Sequence, residues 1–102
     1  MQVPVRNRQT SITAQNTFSP PIRIRAGGVL TLSGTWVATV SLQRRGSDGN
    51  WVDVTSNTGS ATTFTGNGTY TIGPSNVSAD YRWGVETGNF TSGTVVGLIE
   101  GR

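Results

Sequence analysis

Side chains that can do acid–base chemistry are few in this sequence. Its 102 residues include no histidine, no cysteine and only five acidic residues: Asp48, Asp53, Asp80, Glu86 and Glu100. Without histidine and cysteine, a Ser-His dyad, an imidazole metal site, a thiolate nucleophile and a disulfide are all excluded. The acidic residues lie on different segments and lack the pairing that carboxylate-based hydrolysis needs. The sequence therefore predicts a protein that is not an enzyme and that holds no metal or cofactor.

Arginine is the other residue type with chemistry to offer, as a binding group. All eight basic residues are arginine, and the formal net charge is +3. Arginine can bind a carboxylate through two parallel hydrogen bonds, so its exclusive use fits contacts with an acidic surface. Four of the eight, Arg6, Arg8, Arg23 and Arg25, come early in the chain. This modest charge does not predict nucleic-acid binding, and no apolar run predicts a membrane span or a signal peptide.

Short β-strands are the elements that must position these side chains. Between residues 29 and 102 apolar and polar residues alternate, most clearly from Trp36 to Gln43. Threonine and valine are common, and Gly, Asn or Pro separates the alternating runs. The pattern predicts an all-β fold, an antiparallel β-sandwich that is either immunoglobulin-like or jelly-roll-like. We expect the following residues to face its interior: Leu30, Leu32, Trp36, Val40, Leu42, Val52, Val54, Tyr70, Ile72, Tyr81, Trp83 and Val85.

Turn-forming residues predict two hairpins. The sequence Gly-Ser-Asp-Gly-Asn at residues 46–50 joins two alternating runs. Asn67-Gly68 is expected to join residues 62–65 to residues 69–72 in the same way. Beyond them, a strand at residues 81–87 is followed by a turn within residues 88–93 and by a last strand. That last strand is apolar on both faces, which suggests that one face contacts another subunit.

Residues 1–28 differ from the sandwich domain predicted for residues 29–102. They are polar and arginine-bearing, and Pro20-Pro21 favours extended backbone. Residues 22–25 alternate isoleucine with arginine, as in a strand with one apolar and one cationic face. Two interpretations are open: a first strand packed on the sandwich, or an extended N-terminal arm that reaches a neighbouring subunit, with Gly27-Gly28 as its hinge.

Two tryptophans could either pack within the protein or stack on sugar rings. Trp36 is in phase with Val40 and Leu42, which favours the core. Trp51 is in phase with Asp53 and is expected on the outer face near Arg45. We expect a cation–π contact between Arg45 and Trp51 and a cross-strand pair between Arg45 and Asp53. Trp51 is equally a candidate interface hot spot.

Five stretches, spread over most of the predicted sandwich, together carry a resemblance to a known family. They are LSGTWVATVSLQRR at residues 32–45, DGNWVDV at 48–54, NGTYTI at 67–72, YRWGV at 81–85 and TSGTV at 91–95. In these stretches the chain resembles a family of small β-sandwich structural proteins of tailed bacteriophages. Such proteins are virion decoration or cement proteins and modules of tails and fibres.

This resemblance implies a virion protein, made in the cytoplasm of a bacterial host, that binds the outside of the capsid and stabilises the shell. The implied partners are the major capsid protein and further copies of the chain in a homotrimer, with no role for nucleic acid or membrane. The alternative is a glycan- or receptor-binding module at a tail tip or fibre that uses Trp51. The candidate partner-contact residues are Arg6, Arg8, Phe18, Ile22, Arg23, Ile24, Arg25, Arg45 and Trp51.

Overall fold

The computed structural model describes residues 6–25, 27–54, 63–72 and 78–102. In this part of the chain the regular structure consists of β-strands, which form two antiparallel sheets. The strands are β1 (Arg6–Ile12), β2 (Thr17–Phe18), β3 (Ile22–Ile24), β4 (Gly28–Ser33), β5 (Trp36–Arg45), β6 (Trp51–Asp53), β7 (Thr63–Phe64), β8 (Gly68–Ile72), β9 (Ala79–Gly93) and β10 (Val95–Gly101). The predicted all-β, antiparallel β-sandwich is confirmed.

The strand order is that of a jelly roll. One sheet has the order β1-β10-β4-β8. In the other sheet β9 and β5 pair with each other at the centre. The short strands β2 and β3 both pair with the outer edge of β9, one after the other along its length. In the same way, β6 and β7 both pair with the outer edge of β5. Each sheet thus has four strand positions, and every connection between positions crosses to the other sheet except the β5–β6 hairpin. This path is jelly-roll-like rather than immunoglobulin-like.

The described part of residues 1–28 belongs to this sandwich. β1 pairs with β10 over its whole length, and β3 pairs with β9. Ile12, Ile22 and Ile24 are buried between the sheets, and each such burial stabilises the fold by about 1.5–3 kcal/mol. This geometry is that of a packed first strand rather than of an arm. Gly28 of the expected hinge is the first residue of β4 and pairs with Gly101 of β10. Residues 1–5 lie outside the described residues.

The core lies between the two sheets and has Trp83 as its largest fully buried side chain. The Trp83 ring rests on β10 at Gly97, where a Cβ atom would lie 2.3 Å from the indole. Most of the residues predicted to face inward are buried, while Trp36, Val54 and Tyr70 are half-buried against them.

Val52 is the one wrong assignment to the core, because its side chain is 57% exposed. It pairs with Arg44, two residues beyond the buried Leu42 in β5. Its strand phase is therefore inward, but it lies past the end of the core.

Two of the predicted turns are wrong. β7 pairs with β5 and β8 with β4, so the segments around Asn67-Gly68 lie in opposite sheets and form no hairpin. The short connection crosses the sandwich instead, with the Phe64 and Tyr70 rings 4.0 Å apart. The turn expected within residues 88–93 is also absent, because β9 continues to Gly93. Residues 86–89 are accommodated as a bulge, since Val40 pairs with Val85 and Ala38 with Phe90.

Candidate partner-binding face

The solvent-facing side of the β9–β5 sheet brings aromatic, arginine and carboxylate side chains together. On β9, Asp80 and Arg82 alternate with the buried Tyr81 and Trp83, so they point away from the core. Strand pairing places residues of four neighbouring strands beside them. We call this surface the outer face; it comprises Phe18, Arg23, Gln43, Arg45, Trp51, Asp53, Asp80 and Arg82.

Arg82 lies at the centre of the outer face, in contact with two aromatic rings. Its guanidinium carbon is 4.1 Å from the centroid of the Phe18 ring and 4.3 Å from that of Trp51. Both distances are within the range of cation–π attraction. Phe18 can lie flat here because it pairs with Gly84, where a Cβ atom would come within 2.4 Å of the Phe18 ring. The three side chains form a stack, Phe18–Arg82–Trp51.

Hydrogen bonds fix the orientation of that stack. The Nε of Arg82 donates to Oε1 of Gln43 at 2.8 Å, and Nε2 of Gln43 donates to Oδ1 of Asp53 at 3.0 Å. Gln43 is only 8% exposed, so its amide needs partners of this kind. Burial lowers the pKa of Arg82, but a guanidinium stays charged throughout the physiological range. The outer face therefore presents a fixed positive charge between two aromatic rings.

Asp80 forms a second polar group beside the stack. Its carboxylate lies 3.3 Å from Nε of Arg23 and 3.9 Å from a terminal nitrogen of Arg45. Arg45 also donates from Nε to the carbonyl oxygen of Gly49 at 3.2 Å. The expected contacts of Arg45 are thus corrected: its carboxylate partner is Asp80 rather than Asp53, and the cation on Trp51 is Arg82. The cause is the turn at residues 46–50, which draws the Arg45 side chain away from the ring.

A pocket of about 350 Å³ opens at one end of the outer face. Arg23, Arg44 and Arg45 line it, together with Asp80 and the hydroxyl-bearing Ser47 and Ser78. The pocket therefore contains three guanidinium groups and one carboxylate.

A second opening, of about 370 Å³, lies near the start of β5. It is lined by Trp36, Val37 and Thr39 of β5, and by Thr65, Asn89 and Thr91. The indole is held in place, since Nε1 of Trp36 donates to Oδ1 of Asn67 at 2.7 Å and Nδ2 of Asn67 donates to the Gly34 carbonyl oxygen at 2.9 Å. We call this opening the Trp36 groove.

The candidate contact residues from the sequence are only partly brought together. Phe18, Arg23, Arg45 and Trp51 share the outer face. Ile22 and Ile24 are buried in the chain's own core, so they are not available to a partner. Arg25 is exposed after β3, whereas Arg6 and Arg8 belong to β1 in the other sheet.

Sequence reasoning missed Arg82, Gln43 and Asp80 as members of this surface. Arg82 stands between Tyr81 and Trp83, and their predicted inward phase was a signal that Arg82 faces outward. Its two ring partners lie far away in the sequence, and no local pattern indicates them.

The described ranges of the chain hold no group of three or more metal-ligating side chains. They also contain no helix that is long and apolar enough to cross a membrane.

The chain matches no family model, no curated protein and no solved structure. Its fold and outer face define it as a jelly-roll β-sandwich that carries an aromatic–arginine surface.

Proposed function

We propose that the chain is a non-enzymatic virion structural protein, a decoration or cement protein that binds the outside of a phage capsid and stabilises the shell. The Phe18–Arg82–Trp51 stack is the observation that carries this proposal. Aromatic residues and arginine are enriched at the centres of protein–protein interfaces. Because the stack is already ordered by Gln43 and Asp53, little side-chain freedom is left to lose on binding.

The fold and the resemblance of the sequence add support. Jelly rolls occur in viral shell proteins and in lectins, so the fold is compatible with this role without defining it. Two of the stretches that carry the resemblance, residues 32–45 and 48–54, include the end of β4, all of β5 and all of β6. These strands supply Gln43, Arg45 and Trp51 to the outer face.

In this proposal the outer face binds the major capsid protein, and the opposite face of the sandwich contacts two further copies in a homotrimer. On β4 and β10, Val29, Val96 and Leu98 are half-buried on that opposite face. A protein that binds only the assembled shell stabilises it by mass action, by about 2.7 kcal/mol per site when its free concentration is 100-fold above Kd. The chain would be made in the host cytoplasm, and neither nucleic acid nor membrane has a part in this role.

The proposal is tested with virions and with empty shells of the phage that carries the chain. Quantitative mass spectrometry should find a copy number close to that of the major capsid protein. The purified chain should also co-sediment with shells that lack it, and binding should saturate. A handful of copies per virion, or no co-sedimentation, would contradict the proposal.

Trp51→Ala and Val52→Ala form a matched pair of variants within β6. Trp51 lies on the outer face and contacts Arg82, whereas Val52 points the other way and is exposed. We expect Trp51→Ala to weaken shell binding roughly 30-fold, which corresponds to about 2 kcal/mol at an interface hot spot. Val52→Ala should bind within about twofold of the wild type. Equal binding by both variants would place the contact elsewhere.

A tail-tip or fibre-associated glycan-binding function is the second candidate, and the Trp36 groove favours it. Sugar sites combine an aromatic surface with a few hydrogen-bonding groups. In the Trp36 groove the indole is the aromatic surface, and Thr39, Asn89 and Thr91 line the groove with hydroxyl and amide groups. Trp51 is the weaker platform, because Arg82 already occupies a position over its ring. A glycan array followed by NMR separates the two functions: a bound glycan that shifts the Trp36 indole N–H signal supports the second candidate.

A further inference from the structure

We propose that the arginine-lined pocket beside Asp80 is a carboxylate-binding site, and that its occupant is an aspartate or glutamate side chain of the protein on which the chain docks. This inference rests on the proposed function and adds the chemistry by which the partner is recognised. Arg44 is the residue that makes the main contact with this carboxylate.

Arg44 is a cation whose N–H groups have no protein acceptor. Among the described residues no acceptor lies within hydrogen-bond distance of its side chain and no carboxylate lies within 4.0 Å. A guanidinium has five N–H donors in a planar fork. Those of Arg44 stay accessible from the pocket, because Nε1 of Trp83 is the one fully buried side-chain nitrogen or oxygen without a partner in the described residues. A carboxylate that enters the pocket can accept two of these bonds in parallel.

The strand phase explains why Arg44 lines the pocket. Arg44 follows the buried Leu42 on the same side of β5, but it pairs with Tyr81 and Val52 at the point where the core ends. Its side chain therefore lies at the end of the sandwich, where an opening can form. Arg45 points to the outer face and lines the same opening.

The charge balance of the pocket favours an anion. Asp80 is the single carboxylate among its lining residues, and it already contacts Arg23 and Arg45. Arg23 and Arg45 thus both contact the carboxylate of Asp80, whereas Arg44 has no carboxylate within 4.0 Å among the described residues.

One wall of the pocket, the turn that follows β5, is held by its own hydrogen bonds before any ligand arrives. The turn that follows β5 is closed by a hydrogen bond from the Gly46 N–H to the Asn50 carbonyl oxygen at 2.8 Å. The backbone N–H of Asn50 donates to Oδ1 of Asp48 at 3.0 Å, and Nδ2 of Asn50 donates to Oδ2 at 3.1 Å. Binding therefore does not have to order this loop, which lowers its entropic cost.

A single carboxylate suits this site better than a nucleic acid does. Nucleic-acid binding uses an extended basic stripe that contacts many phosphates, whereas here the cations are confined to one pocket of about 350 Å³. Arg8 lies on β1 in the other sheet and cannot extend the site.

The test is an NMR titration of the full chain with tetraglutamate, with tetraglutamine as the uncharged control peptide, at constant ionic strength. Tetraglutamate should shift the backbone signals of residues 44–47 and 78–80 in a saturable way, and tetraglutamine should not. Arg44→Gln should weaken tetraglutamate binding by about tenfold or more, because it removes a charge-assisted, bidentate hydrogen-bonded contact.

Arg8→Gln is the matched control, because it removes the same charge from an exposed position in the other sheet. It should change the affinity by less than about twofold, since only screened long-range attraction is lost. Arg44→Lys keeps the charge but not the planar fork, so it should bind more weakly than the wild type. If Arg44→Gln does not fold, the affinity of Arg44→Lys is compared with those of the wild type and Arg8→Gln instead.

Three results would overturn the inference: signal shifts away from the pocket, equal losses in Arg44→Gln and Arg8→Gln, or tighter binding of an oligothymidine than of tetraglutamate. The shell assay separates this inference from the proposed function. If the wild type and Arg44→Gln co-sediment equally, the pocket has no role in docking although the function stands. If tetraglutamate binds in the pocket but the chain does not bind shells, the site stands and the function fails.

Discussion

Arg82→Ala should destabilise the protein far more than Arg45→Ala, although both arginines point outward from the same sheet. The mutation removes contacts with two aromatic rings, each worth about 0.5–1 kcal/mol and more where the cation is desolvated. It also leaves Oε1 of the buried Gln43 without its donor, at a cost of about 1–3 kcal/mol. Together these losses amount to about 2–5 kcal/mol.

Arg45 provides the comparison because its contacts are exposed. Its side chain is 49% exposed, and its nearest carboxylate oxygen, on Asp80, is 3.9 Å away. Exposed ion pairs contribute about 0–1 kcal/mol. For a domain of this size about 1 kcal/mol shifts the melting temperature by 4–8 °C. The two variants should therefore differ by about 1–5 kcal/mol, which corresponds to at least about 4–8 °C.

Urea denaturation followed by circular dichroism measures both free energies of unfolding. Arg82→Lys, which keeps the charge without the planar group, should lie between the wild type and Arg82→Ala. In a double-mutant cycle, Arg82 and Trp51 should show a coupling energy of about 0.5–1 kcal/mol or more. If Arg82→Ala costs no more than Arg45→Ala, or if the coupling is zero, the stack does not stabilise the fold.

Two further predictions concern the core and the β5–β6 turn. Gly97→Ala should destabilise the protein by about 1–3 kcal/mol through overpacking, because its Cβ atom would lie 2.3 Å from the Trp83 ring. Gly66→Ala is the control: its Cβ atom would have no neighbour within 4 Å, so its free energy of unfolding in the same urea assay should be close to that of the wild type. The pKa of Asp48 should lie below its ordinary value because the backbone and side-chain N–H groups of Asn50 donate to it. A carboxyl whose pKa is lowered by folding stabilises the fold above its unfolded pKa, and this is lost as the pH falls through the folded pKa. The turn should therefore loosen in acid, and an NMR titration of Asp48 with a midpoint at or above 3.8 would contradict this.

The alternating pattern predicted the inward faces of β5 and β9 because one buried side of a strand imposes a period of two. The same rule failed at Val52, where the phase is right but the core has already ended. Phase gives the direction of a side chain, whereas the extent of the opposing sheet decides its burial. That extent depends on the packing of distant strands, which no local window contains.

The wrong hairpin at Asn67-Gly68 has a similar cause. These residues favour a reversal of the chain but do not determine which strands the flanking segments join. In the structure Asn67 hydrogen-bonds with Trp36 and Gly34, which are more than 30 positions earlier. Contacts over that separation hold the crossing between the two sheets, and they become visible only once the fold is known.

The candidate site shows what residue type alone can predict. Phe18 and Trp51 were singled out as aromatic contact residues, and both lie on the outer face. Arg82, which joins them, was missed because its partners come from β2 and β6, at opposite edges of the sheet. The jelly-roll path is what brings these two short strands to either side of the β9–β5 pair.

β9 links the core to the outer face, and this link explains why the proposed binding surface is rigid. Trp83 is fully buried, whereas Arg82, one residue earlier, points outward to the stack. The buried ring fixes the position of β9, and so fixes the Arg82 backbone without help from a partner. Gly97→Ala should therefore weaken shell binding only as far as it unfolds the protein, whereas Trp51→Ala should weaken binding in a protein that remains folded. A Gly97→Ala protein that stays folded and still fails to bind shells would contradict this, because it would show that core packing alters the outer face without unfolding the protein.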